Sequence, residues 1–183
     1  MRRLSIFMAA MLAIGPLTAN ADLIMLEASI DGAQANAGLG SGSASVAFAD
    51  MSYDTVTMIL TWVISEVTPF FDSGVVFAHF HGPATPGQNA AVQVWICSNV
   101  SSGPAGTPLC GGSGDPFAIG SSVLSGAQAD DLLAGLWYIN IHTAAFPGGE
   151  IRCQVTRVPE PGSLALLCIG LIGMGLARRR NTA

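Results

Sequence analysis

The stretch Val75-Val76-Phe77-Ala78-His79-Phe80-His81-Gly82 limits the fold more than any other, because it alternates and then stops at a turn. In an extended chain successive side chains point to opposite faces, so His79 and His81 share one face while Val76, Ala78 and Phe80 share the other. The same grammar recurs in Leu136 to His142, where Trp137, Ile139 and Ile141 are apolar and Tyr138, Asn140 and His142 are polar. It recurs again in Glu150 to Val155, with Ile151, Cys153 and Val155 expected inward and Glu150, Arg152 and Gln154 outward. Three such strands put every histidine of the chain on the polar, wetted side of a sheet.

The remaining segments read as more strands. Leu23 to Ile30 is a first strand, Asp31-Gly32-Ala33-Gln34 its turn, and Ala35 to Gly42 a small-residue flexible connection. Its Gly38-Leu39-Gly40-Ser41-Gly42 is no nucleotide loop, since no helix pattern follows in the required register. Ser43 to Ala49 alternates with Ala44, Val46 and Phe48 on one face, Asp50 to Asp54 reads as a turn, and Thr55 to Ser65 as a long β-branched strand. Ala91 to Cys97 and Phe117 to Val123 complete the set. One helix is expected, capped by Ser125 with Gln128 three residues on and ended by Gly135, with Asp130 and Asp131 near the positive end of its dipole. Pro147-Gly148 suits the centre of a type II turn that would pair the His142 and Glu150 strands. Seven or eight short strands, glycine-rich turns and one short helix predict an all-β, antiparallel β-sandwich.

Both ends read as targeting segments. Met1-Arg2-Arg3, the apolar run from Leu4 to Ile14 and Ala19-Asn20-Ala21 form a signal peptide over residues 1–21. Residues 22–157 are the size of one domain. Residues 158–183 hold Val158-Pro159-Glu160-Pro161, an uncharged stretch at 162–177 close to a transmembrane span, and Arg178-Arg179-Arg180. Within residues 22–157, eleven acids against Arg152 and Arg157 give a formal charge of −9, and the chain has no lysine. Phosphate contacts need a basic surface, so nucleic acid is not expected as a partner; divalent cations or basic partners suit this charge better.

Cys97 and Cys110 flank a Gly/Ser/Pro-rich segment, and an exported chain meets an oxidising compartment, so a disulfide is predicted between them. Closing such a loop contributes about 3 kcal/mol in the chain-entropy description. Cys153, on an inward position, reads as a buried thiol.

The tail from Val158 resembles the PEP-CTERM sorting signal of Gram-negative bacteria. The resemblance implies recognition of the Pro-Glu-Pro motif by an exosortase in the inner membrane, removal of the tail, and delivery to the cell surface or the exopolysaccharide matrix. The body resembles the CHRD domain from about Glu27 to Val155. The residues that carry this likeness are Asp31-Gly32-Ala33-Gln34, Ala78-His79-Phe80-His81-Gly82-Pro83-Ala84, Ala129 to Gly135, and Tyr138 to Arg152. Cys153 departs from the small residue expected there, and Ser98 to Leu109 reads as an insertion.

A His-x-His pair on one strand with a third histidine on a neighbour is a sound three-imidazole geometry, and zinc or copper accepts neutral imidazole at about 2.0–2.1 Å. His79, His81 and His142 would be ligands, with Glu150 as a fourth ligand or an acceptor behind them. The pattern resembles copper-zinc superoxide dismutase, also an immunoglobulin-like β-sandwich, but three histidines are too few for that enzyme's paired sites. Alternatively the histidines exchange hydrogen bonds with Tyr138, Asn140, Glu150 and Arg152 and lock the sheet edge. No Gly-x-Ser-x-Gly elbow is present and no paired-carboxylate cleft is indicated, so an enzyme is not expected. Two functions follow: an exported, non-enzymatic binding or structural module that meets polysaccharide or surface proteins, or a metal-binding or redox protein built on the histidines.

Overall fold

The computed structural model describes residues 22–66, 74–100, 103–111, 116–159, 169–172 and 174. In chain order its elements are β1 (Leu23–Ile30), α1 (Ala35–Gly38), β2 (Ala47–Asp54), β3 (Ile59–Glu66), β4 (Val75–His81), β5 (Val92–Ser98), β6 (Ala118–Val123), α2 (Gly126–Leu133), β7 (Tyr138–Thr143), β8 (Ile151–Gln154) and β9 (Thr156–Arg157). The strands form two sheets, ordered β6-β3-β2-β1-β9 and β5-β4-β7-β8. Every pairing is antiparallel. The expected β-sandwich is therefore the fold.

One apolar core joins the sheets. Leu26, Ile30, Met51, Leu60, Trp62 and Ile64 come from the five-stranded sheet, and Ala78, Phe80, Ile96, Ile139, Ile141 and Ile151 from the four-stranded one. Burying each large aliphatic or aromatic side chain contributes about 1.5–3 kcal/mol. Trp62 and Phe80 meet edge to face across the layers, ring centroids 5.3 Å apart. Trp62 pairs with Gly120 on β6, where a β-carbon would come within 2.5 Å of the indole. The indole can lie over that edge strand only because the position is glycine.

The second strand differs from its sequence reading. Ala47, Ala49, Met51 and Tyr53 are the buried side chains, not Ala44, Val46 and Phe48, and the strand runs on through the stretch expected to turn. The turn falls instead at Thr55 to Met58, where Asp54 Oδ1 accepts from Val56 N at 2.8 Å and Thr57 N at 2.9 Å. Those two backbone donors hold the Asp54 carboxyl below its ordinary range. The long strand from Thr55 is shortened accordingly to β3.

The expected helix is α2, with both halves of the Ser125–Gln128 capping box formed and Gly135 at φ +74°. Asp130 and Asp131 fall beyond its first turn, so the dipole argument does not reach them. Ala35 to Gly42 is not a loose connection. Asn36 and Ala37 take positive φ in α1, and Gly40 N donates to Ala35 O at 3.0 Å and Ser41 N to Gly32 O at 2.9 Å.

The Cys97–Cys110 disulfide is formed, and Cys153 is a half-buried free thiol. The expected signal peptide at 1–21 lies outside the described residues, as do Glu160, Pro161 and Arg178-Arg179-Arg180. Of the stretch at 162–177 only 169–172 and 174 are described, as exposed helix, and no described helix is long and apolar enough to cross a membrane.

Candidate metal centre

The outer face of the four-stranded sheet carries the histidines. β4 and β7 pair so that Phe77 faces His142, His79 faces Asn140 and His81 faces Tyr138. His142 thus lies diagonal to His79, a separation that long side chains bridge. The result is one cluster, in which a ring nitrogen from each of His79, His81 and His142 lies within 4.8 Å of the others.

This face is not wetted, contrary to the sequence reading. His79 is 4 % exposed and His142 8 %, and Glu150, Arg152 and Gln154 are buried as well. Part of the cover is the segment from Gly82 to Ala91, which hydrogen-bonds back to the strands. Arg152 donates from Nη2 to Gln88 O at 2.6 Å and from Nη1 to Asn89 Oδ1 at 3.1 Å, Gln154 Nε2 donates to Ala84 O at 2.6 Å, and Ala90 N donates to Tyr138 Oη at 3.1 Å. A polar layer alternating with an apolar one was correctly placed, but a loop rather than water completes it.

The hydrogen bonds fix two of the three imidazoles. His81 Nδ1 lies 2.9 Å from Ala90 O and His142 Nδ1 2.8 Å from Pro147 O. A carbonyl can only accept, so each Nδ1 carries the proton and each Nε2 presents a lone pair. Among the described residues His81 Nε2 has no hydrogen-bond partner, and neither ring nitrogen of His79 has one. His142 Nε2 accepts from Asn140 Nδ2 at 3.1 Å, and the same amide donates to Gly148 O at 3.2 Å.

Burial pushes all three imidazoles toward the neutral form. His79 is driven down to about 3 by burial and then by His142 and His81. Burial also lowers His81, with Arg152 adding to it and the Ala90 carbonyl opposing, and lowers His142 against the opposing Pro147 bond. Neutral imidazoles keep the lone pairs that a metal needs.

Aromatic rings complete the surroundings. Trp95 stands at right angles to His79 with centroids 4.1 Å apart, and Phe77 lies 4.9 Å from His79 and 4.5 Å from His142. Neither ring was singled out from sequence. Phe77 shares the alternation parity of His79 and His81, and a large apolar ring at that position was the available signal that the face is covered. Trp95 comes opposite His79 only through strand pairing, and irregularities in the β4–β5 register removed any simple offset.

Glu150 is not brought into the cluster. Its Oε1 accepts from Ser43 Oγ and Ser45 Oγ, both at 2.7 Å, and its Oε2 from Thr143 Oγ1 at 2.6 Å. That carboxylate ties the segment before β2 to the β7–β8 hairpin. The hairpin closes as expected, with Glu150 N donating to Ile141 O at 2.8 Å, but its positive φ of +115° falls on Gly149 rather than Gly148, so the turn is not type II. Tyr138 stacks on His81 instead of hydrogen-bonding it, and Arg152 reaches the loop rather than a histidine.

The family model described as CHRD domain matches residues 26–155, and the model described as PEP-CTERM protein-sorting motif matches residues 157–180. No curated protein and no solved structure matches the chain.

Proposed function

From the premise that the chain belongs to the CHRD domain family and ends in a sorting motif that exosortase recognises, we propose that it is a non-enzymatic, surface-sorted module that binds zinc or copper through His79, His81 and His142. Export through a membrane-anchored intermediate follows from the sorting motif. The metal reading rests on the three histidines.

One observation carries it. Among the described residues His79 is buried with both ring nitrogens lacking a hydrogen-bond partner, beside a His81 Nε2 that lacks one too. An unsatisfied buried polar atom costs about 1–3 kcal/mol. Such orphans normally have a reason to be there. Coordination would satisfy one nitrogen of His79 and the His81 Nε2 lone pair, and would take up His142 Nε2 in place of its bond from Asn140, with the Ala90 and Pro147 carbonyls holding two rings in the Nδ1–H tautomer from behind. Two nitrogens on one ion lie about 3.3–3.6 Å apart at the usual bond lengths, so the observed spacing needs only small side-chain adjustment.

Glu150 is fully engaged elsewhere, which supports a centre of imidazoles alone. Polysaccharide and surface proteins are proposed as contacts of the delivered domain on the strength of the sorting tail. Metal analysis of the exported protein, beside His81→Ala and His79→Ala, tests the reading. Stoichiometric zinc or copper that both substitutions abolish supports it, and equal, negligible metal in all three proteins removes it. Mass spectrometry of the same sample tests sorting, since an intact Arg178-Arg179-Arg180 end would show an unprocessed tail.

A further inference from the structure

We infer that this centre selects monovalent copper over divalent zinc. The inference rests on the metal reading above and goes further, from charge and coordination number.

Among the described residues the cluster offers three neutral imidazoles and neither a carboxylate nor a thiolate. The nearest acid along the sheet, Glu150, is held by three hydroxyls. Among the described residues the permanent charge next to this cluster, one ring beyond His81, has the wrong sign for a cation. Arg152 is 2 % exposed, its Cζ lies 3.4 Å from the centroid of the Tyr138 ring on which His81 stacks, and its hydrogen-bond acceptors are an amide oxygen and a backbone carbonyl. Any ion entering therefore keeps its full charge in a largely buried site and is repelled by a guanidinium resting on Tyr138.

Both penalties favour low charge. The cost of taking an ion out of water scales with the square of its charge, so a divalent ion carries roughly four times the penalty of a monovalent one of similar size. Repulsion from Arg152 doubles between the two. Zinc normally offsets such costs with anionic ligands or a fourth donor, since it is held tetrahedrally. Here Phe77 stands against His79 and His142 and Trp95 against His79, and these rings offer no donor atom to a metal. Monovalent copper accepts three neutral nitrogens in a plane without a fourth, and its single charge is the one this pocket resists least.

Asn140 provides the converse test. Its amide touches His142 Nε2, so Asn140→Asp would place an anion beside the centre with little change in volume. A negative charge should draw the divalent ion more strongly than the monovalent one and narrow the selectivity.

The experiment is competition titration of the full chain, without oxygen. Copper is added as Cu(I) against a Cu(I)-specific chelator and zinc against a zinc indicator, for wild type, His79→Ala and Asn140→Asp, each checked for folding by circular dichroism. The expected result is Cu(I) affinity at least about 1,000-fold tighter than zinc in wild type, both lost in His79→Ala. In Asn140→Asp the ratio should narrow about tenfold or more. Zinc bound as tightly as Cu(I), or tighter, overturns the selectivity while leaving the metal centre standing. Binding of neither ion, or binding unchanged in His79→Ala, overturns the centre itself. If Asn140→Asp does not fold, the wild-type ratio alone decides.

Discussion

His81 lies flat on Tyr138, ring centroids 4.9 Å apart and planes 2° from parallel, and Arg152 Cζ sits 3.4 Å from the centroid of the same Tyr138 ring. Histidine, tyrosine and arginine thus share one stack at the meeting of β4, β7 and β8. The stack explains how a covering loop is held down, because the same guanidinium that rests on Tyr138 donates to Gln88 O and Asn89 Oδ1.

Replacing Arg152 should therefore release the loop as well as weaken the sheet. Arg152→Lys keeps the charge but loses the planar fork, and the cost should be about 1–3 kcal/mol. Urea denaturation reads the stability, and hydrogen exchange of residues 82–91 reads the loop. An unchanged midpoint with unchanged exchange would show that the stack holds nothing.

How much of this was open to sequence reasoning depended on what alternation can report. Period-two patterning located β4, β7 and β8 and put His79, His81 and His142 on one face, because each of these strands buries its other face against the core. It failed at β2, where the inward set begins with two alanines and the larger Val46 and Phe48 drew the register off by one. It also failed on solvation. A polar residue in an alternating strand says which side it faces, not what lies beyond, and the loop from Gly82 meets Tyr138, Arg152 and Gln154 through contacts between residues far apart in sequence. Glu150 was misplaced for the same reason. Its partners Ser43 and Ser45 sit before β2, more than a hundred residues away, and no local pattern announces them.

Glu150 should behave as a structural carboxylate. Three hydroxyls donate to it, and Glu150→Gln offers one acceptor oxygen where two were used. The substitution should cost about 1–3 kcal/mol, measured as a lower thermal or urea midpoint, with the metal stoichiometry unchanged. A stoichiometry that fell to zero in a folded Glu150→Gln protein would place this carboxylate in the centre after all.

The metal-free protein should be sensitive to mild acid. The unfolded chain protonates its histidines near 6.5, whereas the folded chain resists until far lower, with His79 at about 3. Protons therefore bind the unfolded state first, and stability falls as pH drops below about 6.5 and is flat with respect to these groups above it. Urea midpoints of chelator-treated protein at pH 7.5, 6.5, 5.5 and 5 should decline over the lower three, before most carboxylates titrate. His79→Leu should show a shallower decline. A wild-type midpoint constant over this range would contradict the burial of neutral imidazoles.

The turn between β7 and β8 supplies a paired test of how closely backbone and cluster are packed. Gly149 has φ +115°, which L side chains rarely adopt, and a β-carbon there would run into the Asn140 amide that contacts His142. Gly148, one residue earlier, has no such φ and open space around it. Gly149→Ala should therefore cost about 2 kcal/mol or more through strain and displacement of Asn140, while Gly148→Ala should lie within about 0.5 kcal/mol of wild type. Because Asn140, whose amide occupies the His142 Nε2 lone pair, moves in the first variant only, metal affinity should change in Gly149→Ala and hold in Gly148→Ala. Equal effects of the two on stability and affinity would mean that the turn is loosely coupled to the histidines, and the geometry of Asn140 and His142 would then not matter to binding.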